Sequence, residues 1–418
     1  MDFPFSRIAG GVGAPQGFLT SAVSCGIKDP AKERLDLALI YSEKPCSSAG
    51  AFTTNRVKAA PVRVSQAHFR KGDIRAIIAN SGNANACTGV PGIHDANAMC
   101  DAVAKPLGLK RSEIGVCSTG VIGLPMPMMR IAPQYSALLA GLGPDHGAAV
   151  AKAIITSDTH PKEIAIAFEL GGHSVRIGAC VKGAGMISPS MATMLCFITT
   201  DANLPHGDPM RKAVLECVED SFNRITIDGD MSTNDTVLVL ANGASGMSQI
   251  RRNGPRCKQF RAALRWVMLE LAKAVVRDGE RVTKFVTVNV SGARTYLDAK
   301  KVAEAVCKSA LVKSSWNGGD PNWGRIIHAV GYSHARIREE LVDIHIGGKA
   351  ACLGGLQAAT PMAELRAIVA EPEFEIGINL NQGSADYTMY SSDLSPEYVE
   401  FNRSEYAYWK QARKDGLV

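Results

Sequence analysis

Short apolar stretches alternate with segments of helical periodicity along the whole chain of 418 residues. The apolar stretches are bounded by Gly, Asn, Ser and Asp, a composition that is typical of β-strands. The stretch Glu163–Glu169 shows a period-two alternation, which places Ile164, Ile166 and Phe168 on one face. The predicted strands are Asp36–Tyr41, Arg75–Ala79, Glu163–Glu169, Val175–Val181, Thr236–Ala241, Phe285–Val290 and Glu373–Leu380.

The helical segments repeat their apolar residues every three or four positions. The clearest has an apolar face made of Phe260, Leu264, Val267, Leu271 and Val275. Gly279 follows it and favours a helix end nearby. The predicted helices are Asp95–Lys105, Pro209–Phe222, Cys257–Val276, Lys300–Val312 and Pro361–Ala370. Because strands and helices are interleaved from end to end, the pattern predicts an α/β layered architecture.

Composition and charge are those of an ordinary folded protein, with 46% hydrophobic and 21% charged residues. No apolar run approaches the length of about 18 residues that a membrane helix needs. The formal net charge is +6, and the densest basic group, between Arg251 and Arg261, opens a helical pattern rather than forming a nucleic-acid patch. The 11 cysteines form no CxxC pair, which favours reduced thiols. We therefore expect a cytoplasmic protein that binds neither nucleic acid nor a membrane.

Familiar cofactor and metal motifs are missing or poor. Gly11–Gly17 matches a dinucleotide-binding fingerprint loosely, but no predicted strand precedes it and Pro15 interrupts it. The nine histidines are isolated, which argues against a metal site. A Ser-His-Asp triad stays open, because its members need not be neighbours in sequence. The sequence thus predicts no metal and no resident cofactor.

The loop Lys182–Leu195 carries the candidate chemistry. A flexible glycine stretch leads through Pro189 to a small residue, Ala192, that precedes Thr193. A strained backbone would let the Thr193 hydroxyl attack the Ala192 carbonyl, and the freed α-amino group, with an ordinary pKa of about 7.7–8.0, could then act as base for the same hydroxyl. On the residues alone, a loop entering a buried strand, with Thr193 an ordinary β-branched strand residue, is the stronger interpretation.

This loop and segments on both sides of it resemble the ornithine acetyltransferase family. Its members are the glutamate N-acetyltransferases of arginine biosynthesis, which cleave themselves between Ala and Thr. The resemblance covers nearly the whole chain in order and favours the catalytic interpretation of Thr193. It runs through Gly50–Asn55, Lys58–Val62, Asn80–Gly89, Ser118–Gly123, Asp158–Lys162, Lys182–Leu195, Ser221–Thr226, Asp228–Thr236, Asp278–Glu280, Asp320–Arg325 and Tyr398–Tyr406.

The resemblance implies a layered fold related to the self-processing aminopeptidases. Cleavage between Ala192 and Thr193 would give an α chain of residues 1–192 and a β chain of residues 193–418, associated as a heterotetramer of two α and two β chains. Thr193 would take the acetyl group of N-acetylornithine and release ornithine. Glutamate would then accept the acetyl group and leave as N-acetylglutamate.

The resemblance also implies residue roles. Thr119 and Gly120 match the residues that stabilise the oxyanion of the tetrahedral intermediate. The matches to substrate-binding residues are Thr156, Lys182, Thr193, Glu280 and Asn402. Counting back from Lys182 without gaps would select Thr159 in place of Thr156.

Two departures from the family pattern bear on substrate preference. The family usually ends shortly after the residue matched by Asn402, with a Ser or Thr in the pocket, whereas this chain continues through Ser404 and Ala407 to Val418. Met231 stands where a threonine is expected. The use of acetyl-CoA as a co-substrate stays open, as do a hydrolase or aminopeptidase with the same nucleophile and an uncut binding protein.

Overall fold

The computed structural model of the protein describes residues 3–188 and 194–403. Its strands are β1 (Ser6–Ile8), β2 (Phe18–Val23), β3 (Leu37–Ser42), β4 (Ser47–Phe52), β5 (Ala76–Asn80), β6 (Ile114–Ser118), β7 (Lys162–Leu170), β8 (His173–Lys182), β9 (Leu195–Thr200), β10 (Thr236–Ala241), β11 (Phe285–Ala293), β12 (Asp343–Ile346), β13 (Lys349–Leu353), β14 (Leu356–Gln357), β15 (Glu373–Asn379) and β16 (Ala385–Ser392). Its α-helices are α1 (Ala60–Lys71), α2 (Gly89–Ala104), α3 (Met128–Ile131), α4 (Tyr135–Ala140), α5 (Gly147–Ala153), α6 (Asp208–Glu219), α7 (Pro255–Arg277), α8 (Tyr296–Lys308), α9 (Ala310–Asn317), α10 (Trp323–Gly331) and α11 (Met362–Ala370).

The predicted strands and four of the predicted helices are confirmed, all but Thr236–Ala241 with shifted ends. The predicted helix Lys300–Val312 is wrong, since α8 and α9 are separate helices. Ser309 lies between them with an extended backbone, at φ −70° and ψ 113°, and its hydroxyl accepts a hydrogen bond from the Val312 N–H at 3.3 Å. Such an N-cap begins a new helix, which apolar periodicity alone does not reveal.

Three sheets form the framework of the described residues. The central sheet has the order β1-β7-β8-β9-β10-β4 and is antiparallel except between β9 and β10. The N-terminal sheet has the order β2-β3-β5-β6, and the C-terminal sheet the order β14-β13-β12-β15-β11-β16. The predicted α/β layered class is therefore confirmed.

Strand β9 shows how the layers stack. Leu195 and Phe197 face one way and pack in a core with residues of the N-terminal sheet, such as Ile77. Cys196 and Ile198 face the other way and pack against α6 and α7. Because the side chains of a strand point alternately to the two faces of its sheet, β9 contributes to both cores. Helix α2 covers the face of the N-terminal sheet that points away from the central sheet. The C-terminal sheet packs separately against α8, α9, α10 and α11.

The register of the central sheet brings three strand ends together. Lys182, the last residue of β8, pairs with Leu195, the first residue of β9. Leu195 in turn lies beside Thr236, the first residue of β10. The predicted division of the chain after residue 192 falls between β8 and β9, so both predicted pieces would contribute strands to this one sheet. That division itself stays a prediction.

None of the helices that the structure describes is both long and apolar enough to cross a membrane.

Candidate active site

A cavity of about 930 Å³ opens beside the converging strand ends. The predicted site residues that fall within the described ranges all line it, although they come from well-separated parts of the chain. They are Thr119, Gly120, Thr156, Lys182, Glu280 and Asn402. The predicted cleavage residues Ala192 and Thr193 lie outside the described residues, and so does Ser404 in the C-terminal continuation.

Gly120 lies where two backbone segments approach closely. Its φ is +132°, and a Cβ atom there would lie 2.3 Å from the carbonyl carbon of Gly82, so only glycine fits. The neighbouring N–H groups are used, since Thr119 N donates to Asn80 O at 3.0 Å and Val121 N donates to Gly82 O at 3.4 Å. Within the described ranges the Gly120 N–H has no acceptor, which leaves a backbone donor at the cavity wall.

The Thr119 side chain supplies a second donor beside it. Its hydroxyl oxygen accepts a hydrogen bond from Lys182 Nζ at 3.3 Å, which leaves the hydroxyl hydrogen available. Thr119 is only 4% exposed, so its conformation is set by packing. Two adjacent donors in a cavity wall are an arrangement that can stabilise an oxyanion.

Lys182 is a buried cation at the end of β8. Burial lowers the pKa of its ammonium group, while the nearby carboxylates of Asp158, Glu280 and Asp235 act to raise it. Burial by itself would raise the pKa of Asp158, but Lys182 and Lys162 outweigh it and hold that pKa below its usual range. A cation that is partly stripped of water binds a carboxylate more strongly than an exposed one does.

A buried network of ion pairs fixes two parts of the cavity wall relative to each other. Lys162 bridges two carboxylates, Asp158 at 2.7 Å and Asp278. Asp158 also accepts hydrogen bonds from Thr156 N at 2.9 Å and Gly183 N at 2.7 Å. Since Glu280 follows Asp278 closely in the chain, the network fixes Thr156 and Glu280 relative to each other.

Glu280 packs directly on the glycine-rich loop after β8. A Cβ atom at Gly185 would lie 2.5 Å from the Glu280 carboxyl group, so a larger residue would displace that carboxylate. The Glu280 N–H also donates to Ala184 O at 2.8 Å. Asn402 Nδ2 donates to Glu280 Oε2 at 3.1 Å, which orients the carboxylate from the C-terminal side.

Thr156 and Thr159 occupy different surroundings. Thr156 lines the cavity, whereas Thr159 is bound to Asp278 by both its N–H, at 3.2 Å, and its hydroxyl. Of the two candidates, Thr156 is thus the one whose position allows contact with a ligand in the cavity.

Several cavity residues carry charge and had no predicted role. Asp228 accepts hydrogen bonds from Met186 N at 2.5 Å and from the Tyr398 hydroxyl at 3.2 Å, and burial raises its pKa. Lys28 and Arg34 also line the cavity and carry positive charge. Asp228 and Tyr398 lie in segments that match the family, a signal that could have marked them. Lys28 and Arg34 lie in no motif, and only the tertiary fold brings them to the cavity.

Among the described residues, no group of three or more His, Cys, Asp or Glu side chains is placed to hold a metal ion. The cavity instead brings together a cation, Lys182, a carboxylate, Glu280, and the neutral donors of Thr119 and Gly120. Chemically, this arrangement suits a small zwitterion and a reaction that develops negative charge on oxygen.

The model of the ArgJ family matches residues 19–407. An arginine biosynthesis bifunctional protein ArgJ from Symbiobacterium thermophilum is 45% identical over 397 residues, which cover 95% of this chain and 98% of that relative. The protein of the same name from Geobacter sulfurreducens is 45% identical over 391 residues, which cover 93% and 98%. The crystal structure of the arginine biosynthesis bifunctional protein argJ from Bacillus halodurans is 37% identical, with a TM-score of 0.48, and covers 50% of this chain and 98% of that chain.

Replacing Lys162 with methionine is expected to lower the free energy of unfolding by about 3–5 kcal/mol, because two buried carboxylates lose their shared cation. Lys44→Met, at an exposed lysine, is the control and is expected to change the free energy of unfolding by less than about 0.5 kcal/mol.

The depressed pKa of Asp158 stabilises the fold above the ordinary aspartate pKa of about 3.9, and this contribution is lost as the pH falls below that value. Urea unfolding from pH 7 to pH 2 measures both effects, and equal losses in the two variants would contradict the role of the network.

Proposed function

The chain belongs to the ArgJ family of arginine biosynthesis, and on that basis we propose that it transfers the acetyl group of N2-acetylornithine to glutamate through an ester on Thr193. It is an acyltransferase. The observation that carries the proposal is the convergence of Thr119, Gly120, Lys182 and Glu280, from separate segments, on one cavity. Two oxyanion donors, a buried cation and a carboxylate are the groups that this reaction requires.

Self-cleavage comes first in the proposed sequence. The Thr193 hydroxyl attacks the Ala192 carbonyl carbon, the peptide C–N bond breaks, and water hydrolyses the resulting ester. The products are a carboxylate at Ala192 and a free α-amino group at Thr193. One residue then carries both a nucleophile and its base.

Acetyl transfer proceeds in two half-reactions. As Thr193 Oγ bonds to the acetyl carbon, its proton passes to the α-amino group, and the Thr119 hydroxyl and Gly120 N–H stabilise the oxyanion. The protonated amine returns the proton to the departing nitrogen of ornithine. Glutamate then attacks the ester in the reverse sequence, leaves as N-acetylglutamate and restores the free hydroxyl.

Charges on the cavity wall support amino-acid substrates. The four predicted binding residues within the described ranges line the cavity. In the proposal Lys182 pairs with a substrate carboxylate and Glu280 with a substrate ammonium group, while Thr156 and Asn402 supply neutral polar contacts. The proposal needs neither a metal nor a resident cofactor.

We also propose that the two pieces remain associated and act in the cytoplasm. Strands β8 and β9, one on each side of the cut, are hydrogen-bonded neighbours in the central sheet, which supports a stable α–β unit. Two such units form the heterotetramer that the resemblance implies. Size measurement of the purified protein, followed by a denaturing gel, tests the association of the two pieces and the heterotetramer.

Thr193→Ala is expected to leave the chain uncut and inactive, because it removes the only hydroxyl that both steps use. Thr193→Ser is the matched variant and should retain partial cleavage, since it keeps a hydroxyl. Denaturing gels, N-terminal sequencing and a transfer assay measure these outcomes, and the smaller wild-type fragments should include one that begins Thr193-Met194-Leu195-Cys196. Robust transfer by Thr193→Ala would contradict the assignment.

Thr156→Val is expected to raise the KM for N-acetylornithine about tenfold, the effect of losing one to two kcal/mol of binding. Thr159→Val is the isosteric control three residues away, and its KM should rise less than that of Thr156→Val, because Thr159 contacts Asp278 and does not line the cavity. Steady-state kinetics decide between them. A larger KM change in Thr159→Val would reverse the choice of substrate contact.

Two assays define the donor and the acceptor. Incubation with acetyl-CoA and glutamate, followed by detection of released thiol, establishes whether acetyl-CoA is a second donor. Incubation with N-acetylornithine alone tests for hydrolysis. Acetate release that added glutamate fails to suppress would favour a hydrolase over a transferase.

A further inference from the structure

The donor and the acceptor of the proposed reaction carry side chains of opposite charge. The ornithine side chain ends in an ammonium group, whereas the glutamate side chain ends in a second carboxylate. Glu280, the proposed partner of the ammonium group, repels that carboxylate. A site that serves both half-reactions therefore needs a further cation to balance the acceptor.

Lys182 alone is a poor source of this charge. Burial lowers the pKa of its ammonium group, and the carboxylates of Asp158, Glu280 and Asp235 act to raise it. A cation that already faces three acidic groups has little attraction left for two carboxylates of one ligand. Of the described residues that line the cavity, the other cations are Lys28 and Arg34.

The loop that carries Arg34 is tied down at its end. This loop joins β2 to β3, and the Asp36 carboxylate accepts hydrogen bonds from Cys25 N and Ile27 N, both at 2.6 Å. The Asp36 carbonyl oxygen accepts a further hydrogen bond from Ser81 N at 2.9 Å. These bonds fix the loop against the turn that follows β5.

The Arg34 side chain bridges two segments of the cavity wall. Its Nη2 atom donates to Ile155 O and, at 3.4 Å, to Ser81 Oγ. Ile155 precedes Thr156, a proposed substrate contact. Ser81 precedes Gly82, which packs against the proposed oxyanion donors. The guanidinium group is therefore held between two parts of the proposed site.

The rest of this guanidinium group is available to a ligand. Among the described residues, neither the Nε nor the Nη1 atom of Arg34 has a hydrogen-bond acceptor. Hydrogen bonds from a guanidinium to a carboxylate are charge-assisted and roughly twice as strong as neutral ones. Arg34 is half-buried, whereas Lys28 is exposed and carries its charge on a flexible stem. Arg34 is thus the better placed of the two cations.

We infer that Arg34 binds the side-chain carboxylate of the acceptor glutamate and thereby sets the preference for this acceptor. The inference rests on the proposed function, since it assigns a contact to the second half-reaction. In the first half-reaction the ammonium group of ornithine pairs with Glu280. Glutamate keeps the carboxylate contact with Lys182, and its side chain pairs with Arg34 instead. Groups of opposite charge in one cavity let a single site accept both amino acids in turn.

Arg34→Met tests this contact, because it removes the charge and keeps an unbranched side chain. Glutamine is the matched acceptor, since it carries an amide in place of the side-chain carboxylate. The measured quantity is the ratio of kcat/KM for glutamate to kcat/KM for glutamine. Arg34→Met is expected to lower this ratio about 10- to 100-fold, the effect of losing a hydrogen bond to a charged group. Arg34→Lys should retain part of the wild-type ratio, because it keeps the charge.

Exchange of isotope label between N-acetylornithine and ornithine separates loss of this contact from general damage to the cavity. The exchange uses the first half-reaction and its reverse, and it involves no glutamate. In Arg34→Met the exchange rate should fall far less than the rate of transfer to glutamate. Lys28→Met is the control within the cavity and should lower the ratio of glutamate to glutamine use less than Arg34→Met does.

Three outcomes overturn the inference. The first is an Arg34→Met enzyme whose ratio of glutamate to glutamine use equals that of the wild type. The second is an Arg34→Met enzyme whose exchange and transfer rates fall by the same factor. The third is a larger loss of the ratio in Lys28→Met. Wild-type protein that exchanges label and transfers acetyl groups to glutamate keeps the proposed function intact in each case. Wild-type protein that does neither would contradict the proposed function itself.

Discussion

The alignment of β8, β9 and β10 in the central sheet is the constraint on which the site depends. Hydrogen bonding pairs Lys182 with Leu195 and sets Leu195 beside Thr236. This single register places the buried cation, the start of the strand that follows Thr193 and the carboxylate of Asp235 at one edge. A shift of one residue in β9 would exchange Phe197 and Ile198 between two cores, so the packing of both layers enforces the register. The stability of the core and the geometry of the site therefore have the same origin.

Polar loops and buried ion pairs position the remaining residues of the site. Loops from the N-terminal sheet contribute neutral donors at Thr119 and Gly120, and the Lys162 network draws the Thr156 and Glu280 segments to the same cavity. Buried charges are costly unless they are paired, and the pairs here join segments that are distant in sequence. The ion pairs of the network offset the cost of burying these charges, and they also fix the relative positions of the proposed substrate-binding groups.

Sequence patterns predicted the layered class and most elements because apolar periodicity reflects burial directly. They failed at Ser309, where a capping hydroxyl divides an apolar periodic segment into α8 and α9. Motif resemblance selected Thr119, Lys182 and Glu280, and in the fold these residues line one cavity. Lys28 and Arg34 could not be found in this way, because their relation to the site exists only in three dimensions. The complete burial of Asp235 is likewise not evident from the sequence, where this residue is one more aspartate before a strand.

The central claim is that Thr193 carries the acetyl group during turnover. Mass spectrometry of wild-type protein quenched after mixing with N-acetylornithine alone measures this directly. The account predicts one acetyl adduct on the peptide that begins at Thr193, and its loss when glutamate is added. A fully active sample whose chain is intact, or whose Thr193 peptide never carries the adduct, would contradict it.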